Sequence, residues 1–263
     1  MKAKLLLFML FPFVFVVEIM SQESKNKCFG VEAGIDFVGC DLTNQDNIRS
    51  ETPSYYYYSG QSTKNLSILC YKNYFGIKRE VFFLSNRLGL TAGLRYTRMH
   101  GSVGKDTYWG SVSDFFYFMY QQTGTTTEYL KIKGINQNSD YIGIPLEFRW
   151  LCKEWELGRY YYKTGAEFDI RVHTKTTVDF SDNAMKTFES SIVKMLGNPH
   201  TFTSLLYFAI GFKLGDSSKP SANLEFGLPI YLINETSGLV RPYAGGGFQF
   251  SVQLPIKSKS NEK

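Results

Sequence analysis

The chain lacks most of the residue patterns by which soluble functions announce themselves. Only three histidines occur in 263 residues, His100, His173 and His200, and they have no metal-ligand spacing. No glycine-rich loop follows a strand and opens a helix, which removes the usual phosphate cradle. Lys and Arg total 29 against 24 Asp and Glu, a formal charge of +5, but they form no run, so a nucleic-acid partner has no footprint here. Beyond residue 17 no apolar stretch approaches the roughly 20 residues of a membrane-spanning helix. From these absences we expect no cofactor, no metal site and no catalytic residue.

Aromatic residues are abundant: 18 Tyr and 22 Phe contribute to an aromatic fraction of 16%, a load that suits strands. The N-terminus is equally distinctive. Lys2 and Lys4 precede an apolar run from Leu5 to Val17, and Ser21 supplies a small residue for cleavage. That run matches a signal-peptide core and is too short to span a bilayer as a helix. Residues 1–21 therefore read as a signal peptide, and 22–263 as one exported domain.

Within 22–263 a single pattern recurs. In YIGIPLEFRW, residues 141 to 150, Ile142, Ile144, Leu146, Phe148 and Trp150 alternate with Tyr141, Gly143, Pro145, Glu147 and Arg149. Such period-2 alternation marks a strand with two unlike faces. It returns from Phe29 to Val38, Leu88 to Thr97, Ala166 to His173, Leu206 to Lys213, Asn223 to Leu232 and Gly247 to Ile256. A weaker segment around residues 67 to 83 carries Arg79 on its apolar parity. Eight strands result.

Their connections alternate in length. Short ones fall near Ser85 and Asn86, Lys153 and Glu154, and the stretch GDSSKPS at 215 to 221. Longer ones span roughly 41 to 66, 102 to 137 and 175 to 200, with a smaller fourth near 234 to 239. This predicts an all-β fold: an eight-stranded antiparallel up-and-down transmembrane β-barrel with short periplasmic turns and long extracellular loops, located in the outer membrane. Its apolar face would meet lipid, its first partner, and its polar face the lumen. Trp150, Trp155 and Tyr160 to Tyr162 cluster near one short turn, where an interfacial girdle belongs. The competing reading is a secreted soluble ligand-binding β-barrel with the apolar face inside.

Three stretches carry a resemblance. YIGIPLEFRW, GLRYTRMHG (93 to 101) and RPYAGGGFQF (241 to 250) resemble strands of the PorT-like outer-membrane β-barrel family of Bacteroidota, the first through its Tyr-x-x-Ile-Pro-Leu pattern. The resemblance implies an eight-stranded outer-membrane barrel. It implies no particular activity, because that family is functionally mixed.

An eight-stranded barrel has an interior only just wide enough to be filled by side chains. The inward parity holds Lys78, Arg95, Arg149, Lys163, Arg171 and Lys213, against Glu32, Asp36, Glu80, Glu147, Glu167, Asp169 and Glu225. Six cations and seven anions so placed predict a salt-bridged plug and no open pore, since a buried charge persists only when paired. Function would then lie in the loops, in a structural, adhesion or secretion-associated role toward a surface or secretion-machinery partner. Tyr55, Tyr56, Tyr57, Tyr58 and Trp109 are the candidate contact residues there, because exposed aromatics make rigid anchors. The enzymatic alternative rests on His100-Gly101-Ser102, which resembles the His-x-Ser arrangement of lipid A deacylases but has no nameable acidic partner.

Four cysteines complete the inventory. Cys28 and Cys40 are separated by about 40 Å along one strand and cannot bond. Cys40 and Cys70 lie on the inward parity near the loop-side ends of neighbouring strands, so a Cys40–Cys70 disulfide is expected if the exported chain is oxidised. The other expectation for the four is unpaired thiols packed as small apolar residues.

Overall fold

The alternation described above is what the backbone follows. A computed structural model describes residues 26–43, 46–50, 66–83, 87–105, 114–120, 128–155, 158–215, 219–232 and 238–256. The strands are β1 (Asn26–Leu42), β2 (Ile48–Arg49), β3 (Leu66–Phe83), β4 (Leu88–Lys105), β5 (Phe116–Tyr120), β6 (Glu128–Trp155), β7 (Gly158–Phe180), β8 (Phe202–Leu214), β9 (Ser221–Tyr231) and β10 (Val240–Ile256). Eight of them form an antiparallel ring in chain order: β1, β3, β4, β6, β7, β8, β9, β10. β10 pairs back onto β1 from Lys27↔Ile256 to Leu42↔Val240 and closes it. Closure matters because an open sheet edge would leave backbone donors and acceptors unpaired in hydrocarbon.

The ring has its apolar face outside. Phe29, Phe75, Leu94, Ile142, Phe208, Leu224, Phe248 and their same-parity neighbours are exposed, while Glu32, Lys78, Arg95, Glu147, Arg149, Glu167 and Glu225 are buried within. A soluble barrel has the opposite arrangement, so this is a barrel of the transmembrane kind. Among the described residues no helix is long and apolar enough to cross a membrane; the crossing elements are strands. Arg79 does face outward, near the short-turn rim between Phe29 and Ala92, where a long cationic side chain can reach the interface.

Two boundaries differ from the sequence reading. β6 starts at Glu128, not near residue 137, and it runs on through Trp155, since Lys153 and Glu154, expected in the link to β7, still pair with Tyr160 and Arg159. Its 28 residues reach on the order of 90 Å at the usual strand rise, whereas a tilted crossing uses about 9–11. The β6–β7 hairpin thus continues well past the belt, and β5 and β2 add to its side there. The connection expected as a bare loop at 175–200 contains the end of β7, a short 3-10 turn (Asn183–Phe188) and a helix (Glu189–Leu196). Asp182 caps the turn by accepting from the Ala184 N–H, and Gly197, at φ 72°, ends the helix. The helix lies beside the part of β7 that outruns β8. There Glu189 Oε1 accepts the Val178 N–H, covering a strand edge that has no strand partner.

The interior has three layers. At the short-turn end Cys28, Phe82, Leu151 and Tyr161 form an apolar floor. The ionic residues occupy the middle. Toward the long connections an apolar roof of Val38, Val103, Ile135, Val178, Leu205 and Val240 is completed by Ile48, Phe116 and Phe118 from β2 and β5 and by Ile192 and Leu196 from the helix.

The belt can be tested at one position. Phe208→Arg, in the middle of the β8 lipid face, should destabilise the folded barrel by about 2–4 kcal/mol. Lys194→Ala on the exposed face of the helix should stay within about 0.5 kcal/mol. Urea unfolding in phospholipid vesicles measures both.

Candidate functional site: the ionic lumen

Strand pairing brings the inward charges into one network. Arg95, on β4, is its hub. Its Nε and Nη2 donate to Glu32 Oε1 at 2.8 and 2.5 Å, its Nη1 donates to Glu167 at 2.6 Å, and Glu147 lies 3.3 Å away. Four strands are thereby tied across the barrel by one guanidinium, whose planar fork of donors suits several carboxylates at once. Lys78 adds a 2.9 Å contact to Glu32 and a longer one, 3.9 Å, to Glu147.

A second cluster lies closer to the floor. Arg149 contacts Glu80 at 3.0 Å and Glu225 at 3.3 Å, and Lys163 bridges Glu225 to Glu147. Gln253 donates to Glu80 at 2.5 Å and accepts from Lys213 at 3.1 Å. Lys213 stands 4.7 Å from the Phe82 ring, so the lowest cation rests on the apolar floor.

Tyrosines fill the space between charges. Tyr161 donates to Glu225 at 2.6 Å and Tyr207 to Glu147 at 2.8 Å, while Tyr74 donates to Gln249 at 3.1 Å. Arg95 sits 4.4 Å over the Tyr74 ring and Arg149 4.2 Å over Tyr161, favourable cation–π distances. Each ring lies across a glycine. A Cβ on Gly34 would come within 2.3 Å of Tyr74, and one on Gly211 within 2.2 Å of Tyr161, so only glycine lets the rings lie flat.

Of the thirteen charges assigned to the lumen from parity, twelve are buried in it. Arg171 is the correction. An extra β7 residue opposite Asp140/Tyr141 breaks the alternation just beyond it, and its guanidinium donates to the Pro199 carbonyl outside the ionic layer. Lys72 takes a place in the network that the sequence reading did not give it, 3.0 Å from Glu167 and fully buried. Lys72 shares parity with Lys78 on the same strand, and that signal was present in the sequence. Tyr74, Tyr161 and Tyr207 were not nameable, since tyrosine occurs on both faces: Tyr160 and Tyr162 point outward beside Trp150, and Tyr161 points inward. The girdle expected of Tyr160 to Tyr162 therefore holds two of the three.

The remaining candidates fall as follows. His100 Nδ1 meets Asn138 Oδ1 at 2.8 Å and its ring lies 4.7 Å from Tyr71, so the hydrogen bond it makes is to an amide and not to a carboxylate. Among the described residues no cluster of His, Cys, Asp and Glu could hold a metal ion. All four cysteines are thiols; Cys40 and Cys70 lie together at the roof, Cys28 is in the floor, and Cys152 is exposed. Tyr55, Tyr56, Tyr57, Tyr58 and Trp109 lie outside the described residues, as does the 1–21 segment. Beyond the belt, Lys133 hydrogen-bonds Asp114 at 3.0 Å and holds that carboxyl below the usual carboxylate range.

The space left in the lumen is small. A cavity of about 30 Å³ lies beside Lys72, Arg95, Glu167 and Gln249, enough for a water or two. The apolar floor lies below the ionic layer and the apolar roof above it.

The chain is similar in fold to several solved outer-membrane proteins. Against the outer membrane protein OprG from Pseudomonas aeruginosa the identity is 9%, the coverage 91% of this chain and 99% of that one, and the TM-score 0.43. An outer membrane channel from Pseudomonas putida F1 gives 8% identity, 90% and 97% coverage and a TM-score of 0.27. OmpT of Vibrio cholerae gives 8%, 89%, 99% and 0.22. Likeness at this level bears on neither ligand nor activity. No family model and no curated protein matches the chain.

The hub can be tested directly. Arg95→Ala leaves Glu32, Glu147 and Glu167 with less counter-charge in a dry interior and should destabilise the barrel by about 3–5 kcal/mol. Arg171→Ala, outside the layer, should cost less than about 1 kcal/mol. Thermal loss of the compact, heat-modifiable form on gels reports both.

Proposed function

We propose that the protein is an outer-membrane anchor with a sealed lumen. It holds a folded cap at the cell surface and works through that cap and its loops, in a structural, adhesion or secretion-associated role. The observation that carries this reading is the filled interior: a closed ring with an apolar exterior, most of whose inward charges pair with one another among the described residues, with Asp36, Asp169 and Lys213 outside the ion pairs. A conduit needs polar groups turned to free water, and here Arg95, Arg149 and Lys163 are turned to carboxylates 2.6–3.3 Å away or closer.

The cap supports the same reading. β6 and β7 extend beyond the apolar belt and, with β5, β2 and the helix, pack on inward residues of the other ring strands to form one apolar core above the ionic layer. A protein whose task ended inside the membrane has no use for so much ordered chain above it. Membership of the PorT-like family belongs to this reading and is supported by the Ile-Pro-Leu segment of β6; a surface or secretion-machinery protein is the partner class it favours.

Fractionation and conductance test the two halves. The native protein should appear in the outer-membrane fraction and migrate faster on gels unboiled than boiled. In planar bilayers it should give little steady current. Recovery in the soluble fraction would sink the location, and a reproducible large channel from unmodified protein would sink the sealed lumen.

A further inference from the structure

Cys40 and Cys70 lie where the two legs of the first long connection meet the roof. In the β1–β3 register Val38 is opposite Cys70, which places Cys40 two residues further along β1, diagonal to Cys70. The β1–β10 pairing has a bulge between Gly39 and Cys40, and Cys40 then stands opposite Pro242. The two side chains share one inward face and one apolar cluster, Cys70 fully buried and Cys40 packed against the same residues and partly buried. Around them the packing is apolar, with Val38, Leu42, Val103 and Val240 in the same cluster. Across from Cys70 on β4 is Gly101, with no side chain to wedge the pair apart.

We infer that Cys40 and Cys70 form a redox-active pair that closes to a disulfide in the exported protein, covalently tying the base of the 41–69 connection to the barrel rim. The other two thiols cannot compete. Cys28 lies in the floor at the opposite end of β1, and Cys152 is exposed near the short β6–β7 turn. A regular diagonal cross-strand pair stands about 7–8 Å apart, just beyond the Cα separation a disulfide spans, so closure needs a small backbone movement; the bulge opposite Cys40, where Tyr243 of β10 is the extra residue, gives the strand that freedom.

The chemistry needs one co-reactant, a disulfide-bearing oxidant of the thiol-exchange type. One cysteine loses its proton and its thiolate attacks a sulfur of that disulfide, expelling one thiolate and forming a mixed disulfide. The second cysteine, likewise deprotonated, attacks the sulfur of the first cysteine itself, which breaks that sulfur's bond to the oxidant and expels the oxidant's other thiolate. Two thiols are oxidised, one disulfide is reduced to two thiols, and the protons pass to the departing thiolates. Closure also replaces two S–H groups in an apolar roof by a group with no donor.

The inference rests on export only for its physiological setting, so the test has two arms. Full-length mature protein is first refolded in detergent micelles in a glutathione thiol–disulfide buffer, alkylated and mapped without reduction. The expected result is one cross-linked peptide joining Cys40 to Cys70, two hydrogens lighter than its separated halves and abolished by reductant, with Cys28 and Cys152 alkylated. Free alkylation of Cys40 and Cys70 in this arm overturns the geometry whatever the cellular location. Protein from native outer-membrane vesicles is then mapped alike. The same peptide there supports the inference; free thiols there overturn it, since the native compartment would leave the pair reduced. Fractionation, scored separately, reports on the location reading alone. As an internal control, trypsin cutting within 41–69 should leave the two chain pieces joined until reductant is added.

Discussion

Pairing of charge inside a barrel with room for no more than a water or two beside its hub is the constraint from which the rest of this structure follows. Arg95 cannot be solvated by water alone where it sits, so Glu32, Glu147 and Glu167 must be delivered to it by three different strands. That delivery fixes the register of β1, β4, β6 and β7 relative to one another. A slip of one residue would turn each of those carboxylates to lipid and an apolar side chain to Arg95, losing on both faces at once. The ionic layer is therefore a register device as much as a plug.

The other two layers solve problems that charge cannot. At the floor, Phe82 and Tyr161 close the short-turn end while giving Lys213 and Arg149 aromatic faces to rest on. At the roof the strands have left the membrane, and the ordinary logic of a soluble barrel resumes, with apolar residues inside and polar ones toward solvent. Along β6 the inward residue changes from Arg149 and Glu147 to Ile135 and Ile132. One strand thus obeys two solvents in succession. The helix and the β2–β5 additions seal a mouth that short β8 and β9 leave incomplete, with Glu189 supplying an acceptor where β7 has no strand neighbour.

The lumen carboxylates converge on two guanidiniums: Glu32, Glu147 and Glu167 on Arg95, and Glu80 and Glu225 on Arg149. His100 lies apart from both, held by the Asn138 amide. Above them β6 and β7 carry ordered chain past the apolar belt.

The alternation of large apolar with polar residues was enough by itself to determine the strands, their two faces and the ring, because a period of two is a property of the extended chain and needs no partner to be read. Twelve of the lumen charges follow from the same parity. What tertiary structure decided lies where that period is silent or ambiguous. Arg171 keeps the inward parity of Glu167 and Asp169, opposite Tyr141, but stands beyond them toward the roof, where the Pro199 carbonyl takes its guanidinium. Lys72 joined the network because the inward parity of β3 runs unbroken from Lys78 through Tyr74 to Lys72, where β7 supplies Glu167 3.0 Å away. Tyr161 faces Glu225 while Tyr160 and Tyr162 face outward, and tyrosine, half apolar and half polar, carries no sign of its side. The helix at Glu189–Leu196 was hidden for another reason: two buried residues, Ile192 and Leu196, are too few to mark a period, and only the gap beside β7 gives them somewhere to be buried.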